Sequence, residues 1–260
     1  MKVRTTVVAA GTLVLCLAAA GCGPDGGGEG AGEKATASRA PASGSGTGSG
    51  ATATPGAGSP PVPTPTSHGR TLTEAELEKV ALATDEVPGY AIAPLEGTGE
   101  RGTEEPEDEA CRPITAIING SPEPAPAAIV FRTATDTAEE GEDDRTVVTE
   151  ILTSHPGGGA GELLRAVRDA VRDCAGGFRT TSEDGPTTYT GVRALPTAGA
   201  GQESFAYQVT GSLAGAEVPL VFHLVRTGST VVTFYAADFL TARTPEVPAA
   251  LLTAQAAKLP

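Results

Sequence analysis

The sequence predicts an α+β fold: an antiparallel sheet with helices packed on one face, preceded by a signal peptide and a disordered tether. Three observations lead there. All ten aromatic residues, four Tyr and six Phe, lie after residue 70. Beyond that point, short runs of β-branched and aromatic residues succeed one another across turn residues with few helical patterns between them, which favours hairpins over parallel crossovers. Between Gly23 and Gly69 the only aliphatic side chain larger than alanine is Val62, too little apolar surface to offset the entropy of ordering that segment.

The domain therefore runs over 70–260, long enough for one core that buries roughly 70% of its chain surface. It opens with "LTEAELEKVALA". Thr73 and Glu76 have the spacing of a capping box and Leu72 and Leu77 that of a hydrophobic staple, so a helix starts here. Pro88-Gly89 is expected to end it, and "YAIAPL" reads as a short strand. After an acidic loop, "CRPITAIING" gives a short helix starting near Pro113 and closed by Asn119-Gly120. "AAIVFRTA" and "RTVVTEILTS" have strand composition and flank a second acidic turn.

In "GELLRAVRDAVRDC" the residues Leu163, Leu164, Val167, Ala170, Val171 and Cys174 share one helical face, while Arg165, Arg168, Asp169 and Arg172 take the others. Strands follow near Phe178–Thr181, Thr187–Leu195, Ser204–Val209, Leu220–Arg226 and Ser229–Ala236, the last two joined across Thr227-Gly228. A final helix falls within Pro245–Lys258.

The N-terminus carries an address. Lys2 and Arg4 form a positive n-region, Val7–Ala20 an apolar run and Ala19-Ala20-Gly21 a small-residue cleavage site, so 1–21 reads as a secretory signal. The apolar run falls short of the ~20 residues that span a bilayer. Ala19-Ala20-Gly21-Cys22 resembles a bacterial lipobox, which implies diacylglycerol on Cys22, palmitate-type acylation and a chain held at the membrane by that cysteine. An ordinary signal followed by a free Cys22 is the alternative; Cys16, preceded by the large Leu15, is expected to leave with the signal. Residues 22–69 then form a lipidated cysteine and a Gly/Ser/Thr/Pro tether with a root-mean-square reach of roughly 35–40 Å. Thr52, Thr54, Thr64 and Thr66 lie beside prolines, as in O-glycosylated stalks, although an unmodified spacer has the same composition.

Export also bears on the other cysteines. With Cys16 removed and Cys22 acylated, Cys111 and Cys174 remain, and an oxidising compartment favours a disulfide between them. A reactive thiol is the rival, but no histidine stands in a recognisable relation to either.

Loss of Lys2 and Arg4 moves the net charge from −14 to about −16, which argues against nucleic acid as a partner. The acid is concentrated in "EEPEDEA" (Glu104–Ala110) and "AEEGEDD" (Ala138–Asp144). Neither has EF-hand spacing, so both read as solvated loops rather than calcium sites. "HPGGGAGELL" lacks the Lys-Ser or Lys-Thr of a P-loop, and Glu162 puts negative charge at the helix start, where it would repel phosphate. His68, His155 and His223 have no metal-ligand spacing, and Ser204 in "GQESF" is not a nucleophile elbow. No catalytic residue, metal or cofactor is expected, and the chain reads as a non-enzyme.

The succession "LTEAEL", "VPGY", "CRP", the helix ending in Cys174, "YTGVRALP", "GQESFAY" and "VRTGSTVVTFYA" resembles a group of small actinobacterial envelope lipoproteins. These are described as sensor-domain-like, by analogy with the extracellular domain of a membrane Ser/Thr kinase. The resemblance implies an extracytoplasmic domain at the outer face of the cell membrane and carries no site residues. Two functions are in play: a lipid-anchored module that binds or senses an envelope component or protein, or a carrier of a lipid or other hydrophobic small molecule. A carrier requires an apolar cavity of a few hundred Å³.

Overall fold

The computed structural model describes residues 69–95, 101–137, 147–197, 199–213 and 215–260. The chain divides into two units, 1–60 and 61–260. The signal peptide, Cys22, residues 23–68 and the acidic segment Ala138–Asp144 all lie outside the described residues.

The elements run α1 (Glu74–Val80), β1 (Tyr90–Pro94), β2 (Glu105–Pro106), a 3-10 turn (Glu109–Cys111), α2 (Arg112–Ile118), β3 (Ala128–Asp136), β4 (Val147–Ser154) and α3 (Gly159–Asp173). There follow β5 (Phe178–Ser182), β6 (Gly185–Leu195), β7 (Glu203–Leu213), β8 (Ala216–Thr227), β9 (Thr230–Ala237) and α4 (Ala249–Lys258). The fold is α+β. The nine strands among the described residues form one antiparallel sheet in the order β1-β3-β4-β9-β8-β7-β6-β5-β2.

The capping box is present at α1. The Thr73 backbone N–H and hydroxyl both donate to the Glu76 carboxylate, at 2.9 and 3.0 Å, and together with Arg70 they hold that carboxyl down at about 2. Leu72 and Leu77 are both buried in the same apolar layer. The helix stops at Val80, well before Pro88-Gly89. The reason lies at the far end of the chain. The Val80 and Ala81 carbonyls accept from Gln255 Nε2 at 2.9 Å and Lys258 Nζ at 2.7 Å, both on α4, so no further helical turn is needed to satisfy them.

The helices divide between the two faces of the sheet. Helices α2 and α3 cover one face, with Leu163, Leu164 and Val167 packed on Tyr189, Tyr207, Phe222 and Leu224. Helices α1 and α4 cover the opposite face, with Leu77, Leu251 and Leu252 packed on Val148, Leu152, Val225 and Phe234. The antiparallel α+β sheet is as expected, but the helices, expected on one face, lie on both, each pair covering its own half of the sheet. Strand β8 is where the layers overlap. Successive strand side chains point to opposite faces, so Leu220, Phe222 and Leu224 join the α3 layer while Val221 and Val225 join the α4 layer.

Two glycines set local geometry. Gly177, between α3 and β5, has φ of 89°, and a Cβ there would sit 2.3 Å from the Tyr189 carbonyl oxygen. Gly228 has φ of 57° in the tight turn between β8 and β9, where Thr227 pairs Thr230. A Cβ on Gly228 would lie 3.1 Å from Gly69 Cα and 3.8 Å from the Pro260 carbonyl oxygen.

Candidate functional site

Cys111 ends the 3-10 turn and Cys174 caps α3, both almost fully buried. Their sulfurs are joined, with Cα atoms 5.9 Å apart. The bridge fixes the start of α2 against the end of α3, and so determines where the segment just before it lies on the sheet.

That segment is the acidic stretch Glu104–Ala110, which is solvent-exposed at Glu105 and from Glu107 to Ala110, as a solvated loop would be, but is ordered on the sheet through the half-buried Glu104 and the buried Pro106. Glu105–Pro106 forms an edge strand on β5. The Glu104 carboxylate accepts from the hydroxyls of Tyr189 at 2.8 Å and Thr180 at 2.7 Å. Its backbone is clamped by the Asn119 side chain, which donates to the Glu104 carbonyl at 2.8 Å and accepts from the Glu104 N–H at 3.2 Å. Arg112 binds Glu105 at 2.9 Å and Glu109 at 2.6 and 2.7 Å, while Asp108 accepts from the Ala110 N–H at 3.0 Å. Burial pushes the Tyr189 phenol up, and the Glu104 charge raises it further.

Between β2 and α2 these groups line a cleft of about 160 Å³, with Glu104, Glu105, Asn119 and Glu123 as acceptors and Arg112 as the cation. A second cleft of about 90 Å³ lies where Gly69 and Arg70 meet Thr230 and Pro260. Both are below the ~300 Å³ at which drug-sized sites begin. The larger one has the chemistry to hold a small, donor-rich polar group.

Glu104 is a keystone of this region, which gives a graded expectation. Glu104→Ala leaves two hydroxyls without their acceptor, one on the nearly buried Tyr189, and is expected to cost about 2–3 kcal/mol. Glu105→Ala removes a surface pair whose carboxylate is 64% exposed and is expected to cost about 0.5 kcal/mol or less. Urea unfolding of the two variants checks this; equal losses would refute the keystone role.

The remaining polar candidates are scattered. His155 is fully buried before α3, with Nε2 2.9 Å from the Thr153 hydroxyl. Burial lowers it to about 4, against an opposing pull from the Pro124 carbonyl. Its neutral form therefore favours folding above about 6.5, and that contribution is lost as pH falls toward 4. His223 faces the other side of the sheet on β8, also lowered by burial. Ser204 pairs with the Thr197 hydroxyl at 2.9 Å. No group of three His, Cys, Asp or Glu able to hold a metal occurs among the described residues. Among those residues, too, no helix is long and apolar enough to cross a membrane.

Fold and cleft together define a disulfide-closed α+β domain with a small polar cleft at one edge of its sheet. No known family matches the sequence, and no curated protein does. Solved structures resemble the fold. The extracellular domain of PknH from Mycobacterium tuberculosis aligns at 13% identity over 73% of this chain and 95% of that one, with a TM-score of 0.47. A putative uncharacterized protein from Mycobacterium smegmatis aligns at 16% identity, over 71% and 93%, with a TM-score of 0.35. LpqN of M. tuberculosis, described as involved in cell envelope biogenesis, aligns at 12% identity, over 65% and 85%, with a TM-score of 0.23. At these identities and scores neither family nor function passes from these neighbours to this chain.

Proposed function

We propose that the chain is a lipid-anchored cell-envelope lipoprotein whose domain acts as a non-enzymatic binding or sensing module outside the membrane. The observation that supports it is the order of parts in the sequence. A short apolar signal ends in Ala19-Ala20-Gly21-Cys22, a segment of small and polar residues follows, and a domain with a buried disulfide comes last. Diacylated Cys22 would hold the chain at the outer face of the membrane, and the tether would lift the domain clear of the headgroups. The cleft between β2 and α2 offers the binding surface, for a small polar group on an envelope component or protein. Its volume gives no support to a lipid carrier.

Cys22→Ser, expressed in the native host, is expected to move nearly all of the protein from the membrane fraction to the medium. Intact mass of the wild-type chain is expected to show the acyl addition at Cys22. Continued membrane retention of the variant would overturn the anchor.

A further inference from the structure

Strand β4 carries a carboxylate in an unusual place. Glu150 lies between Val148 and Leu152 on the face covered by α1 and α4. It is 1% exposed, and neither of its carboxylate oxygens has a hydrogen-bond partner. Its direct cross-strand neighbour on β3 is Arg132, within side-chain reach of it. Yet the Arg132 guanidinium is turned elsewhere. It binds Glu78 on α1 and donates to the Phe131 carbonyl at 2.9 Å. Arg132 is almost fully buried, whereas Glu78 is half exposed.

Of the other polar groups on this face, those on α4 are already committed or also lack a donor, and His223 stands two strands away on β8, beyond Phe234. Lys258 on α4 binds the Ala81 carbonyl and Glu86, at 2.7 and 2.5 Å. Gln255 on α4 gives its Nε2 to the Val80 carbonyl, and its Oε1 has no partner. An ionised carboxylate left unpaired in such surroundings costs several kcal/mol, and a neutral acid avoids that cost.

We propose that Glu150 and Arg132 form a proton-operated latch on α1. With Glu150 protonated, Arg132 is free to hold Glu78, which ties α1 to the sheet. When Glu150 loses its proton to solvent, Arg132 turns from Glu78 to the new buried charge, and α1 loosens. The proposal does not depend on the anchoring of the chain. Burial pushes the Glu150 carboxyl up to about 8; Arg132 and Lys258 pull it back and Glu86 adds to the rise. A folded value above the unfolded one means that the protonated form favours folding. That contribution is complete below about 4.5 and fades as pH climbs through about 8.

The test is amide hydrogen exchange on the full-length chain between pH 6 and 9, corrected for intrinsic exchange, with residues Glu74–Val80 compared against α3. The Glu150 carboxyl is titrated by carbon NMR alongside. In the wild type, α1 is expected to lose at least tenfold in protection relative to α3 across this range. In Glu150→Gln it should keep its pH 6 protection throughout. In Glu78→Gln it should be less protected already at pH 6, because the bond the latch releases is gone. Protection of α1 that does not change with pH, an equal fall in Glu150→Gln, or a Glu150 carboxyl that titrates below pH 6 would each overturn the latch. The same linkage lowers the stability of the whole domain and so reduces α3 protection by a smaller factor; a fall in α1 no larger than that in α3 would also overturn the latch.

Discussion

Replacing either Cys111 or Cys174 with alanine is expected to lower the stability of the domain by about 4 kcal/mol, the loop-closure entropy of a bridge spanning about 60 residues. The sequence separation is 63, and the enclosed segment contains α2, β3, β4 and α3. Opening it frees most of one helical layer in the unfolded chain. Each sulfur is also buried, at 2% and 3% exposure, so the packing of α2 on α3 loosens as well. Because both substitutions break one bond, the double variant should be no less stable than either single one by more than about 0.5 kcal/mol. Additive losses in urea unfolding would refute the single shared bridge.

A second large effect is expected at Phe222→Ala, about 3–5 kcal/mol for an aromatic side chain removed from a filled core. Phe222 is 2% exposed. Its ring stacks on Tyr207 at 5.0 Å and Tyr235 at 5.1 Å, and Tyr207 in turn stacks on Phe205 at 5.9 Å. Four rings from three adjacent strands thus form one row under α3, each stacked pair contributing ~0.5–1.5 kcal/mol beyond simple burial. The denaturation midpoint should fall with an unchanged slope. A loss under about 1 kcal/mol would mean that the row collapses onto the gap and is not a rigid part of the core.

What could be read from the sequence followed the range of the interactions. Helix α3 was legible because its apolar stripe is set by residues three and four apart, and Leu163, Leu164, Val167, Ala170 and Val171 are all buried. The strands after it were legible from composition and from turns such as Thr227-Gly228. Strand β2 and the role of Glu104 were not, since the Thr180 and Tyr189 hydroxyls that order Glu104 are 76 and 85 residues away. A run of carboxylates looks solvated until such partners are known. The end of α1 was misplaced for the same reason, its last carbonyls being met by residues of α4.

Two signals were present in the sequence without being used. The unbroken apolar run Leu220-Val221-Phe222 in β8 marks a strand buried on both faces, which is where the helical layers change sides. In "VVTEILTS" the period of two puts Glu150 on the same side as Val148 and Leu152. An acid on an apolar stripe is the sequence trace of the unpaired carboxylate found beneath α1. For the candidate cleft, only Arg112 and the acidic run gave any warning; the enclosing geometry comes from the disulfide.

The approach of Gly69 and Pro260 to the same turn at Gly228 has a consequence for engineering the chain. A short peptide linking Pro260 back to Gly69 would span a small gap, so the domain should accept circular permutation, with new ends opened in a surface connection. A fluorescent protein fused after Pro260 would emerge beside Gly69 and leave the far ends of β8 and β9 uncovered. A label placed there would report where the domain resides without blocking whatever approaches from the opposite end of the sheet.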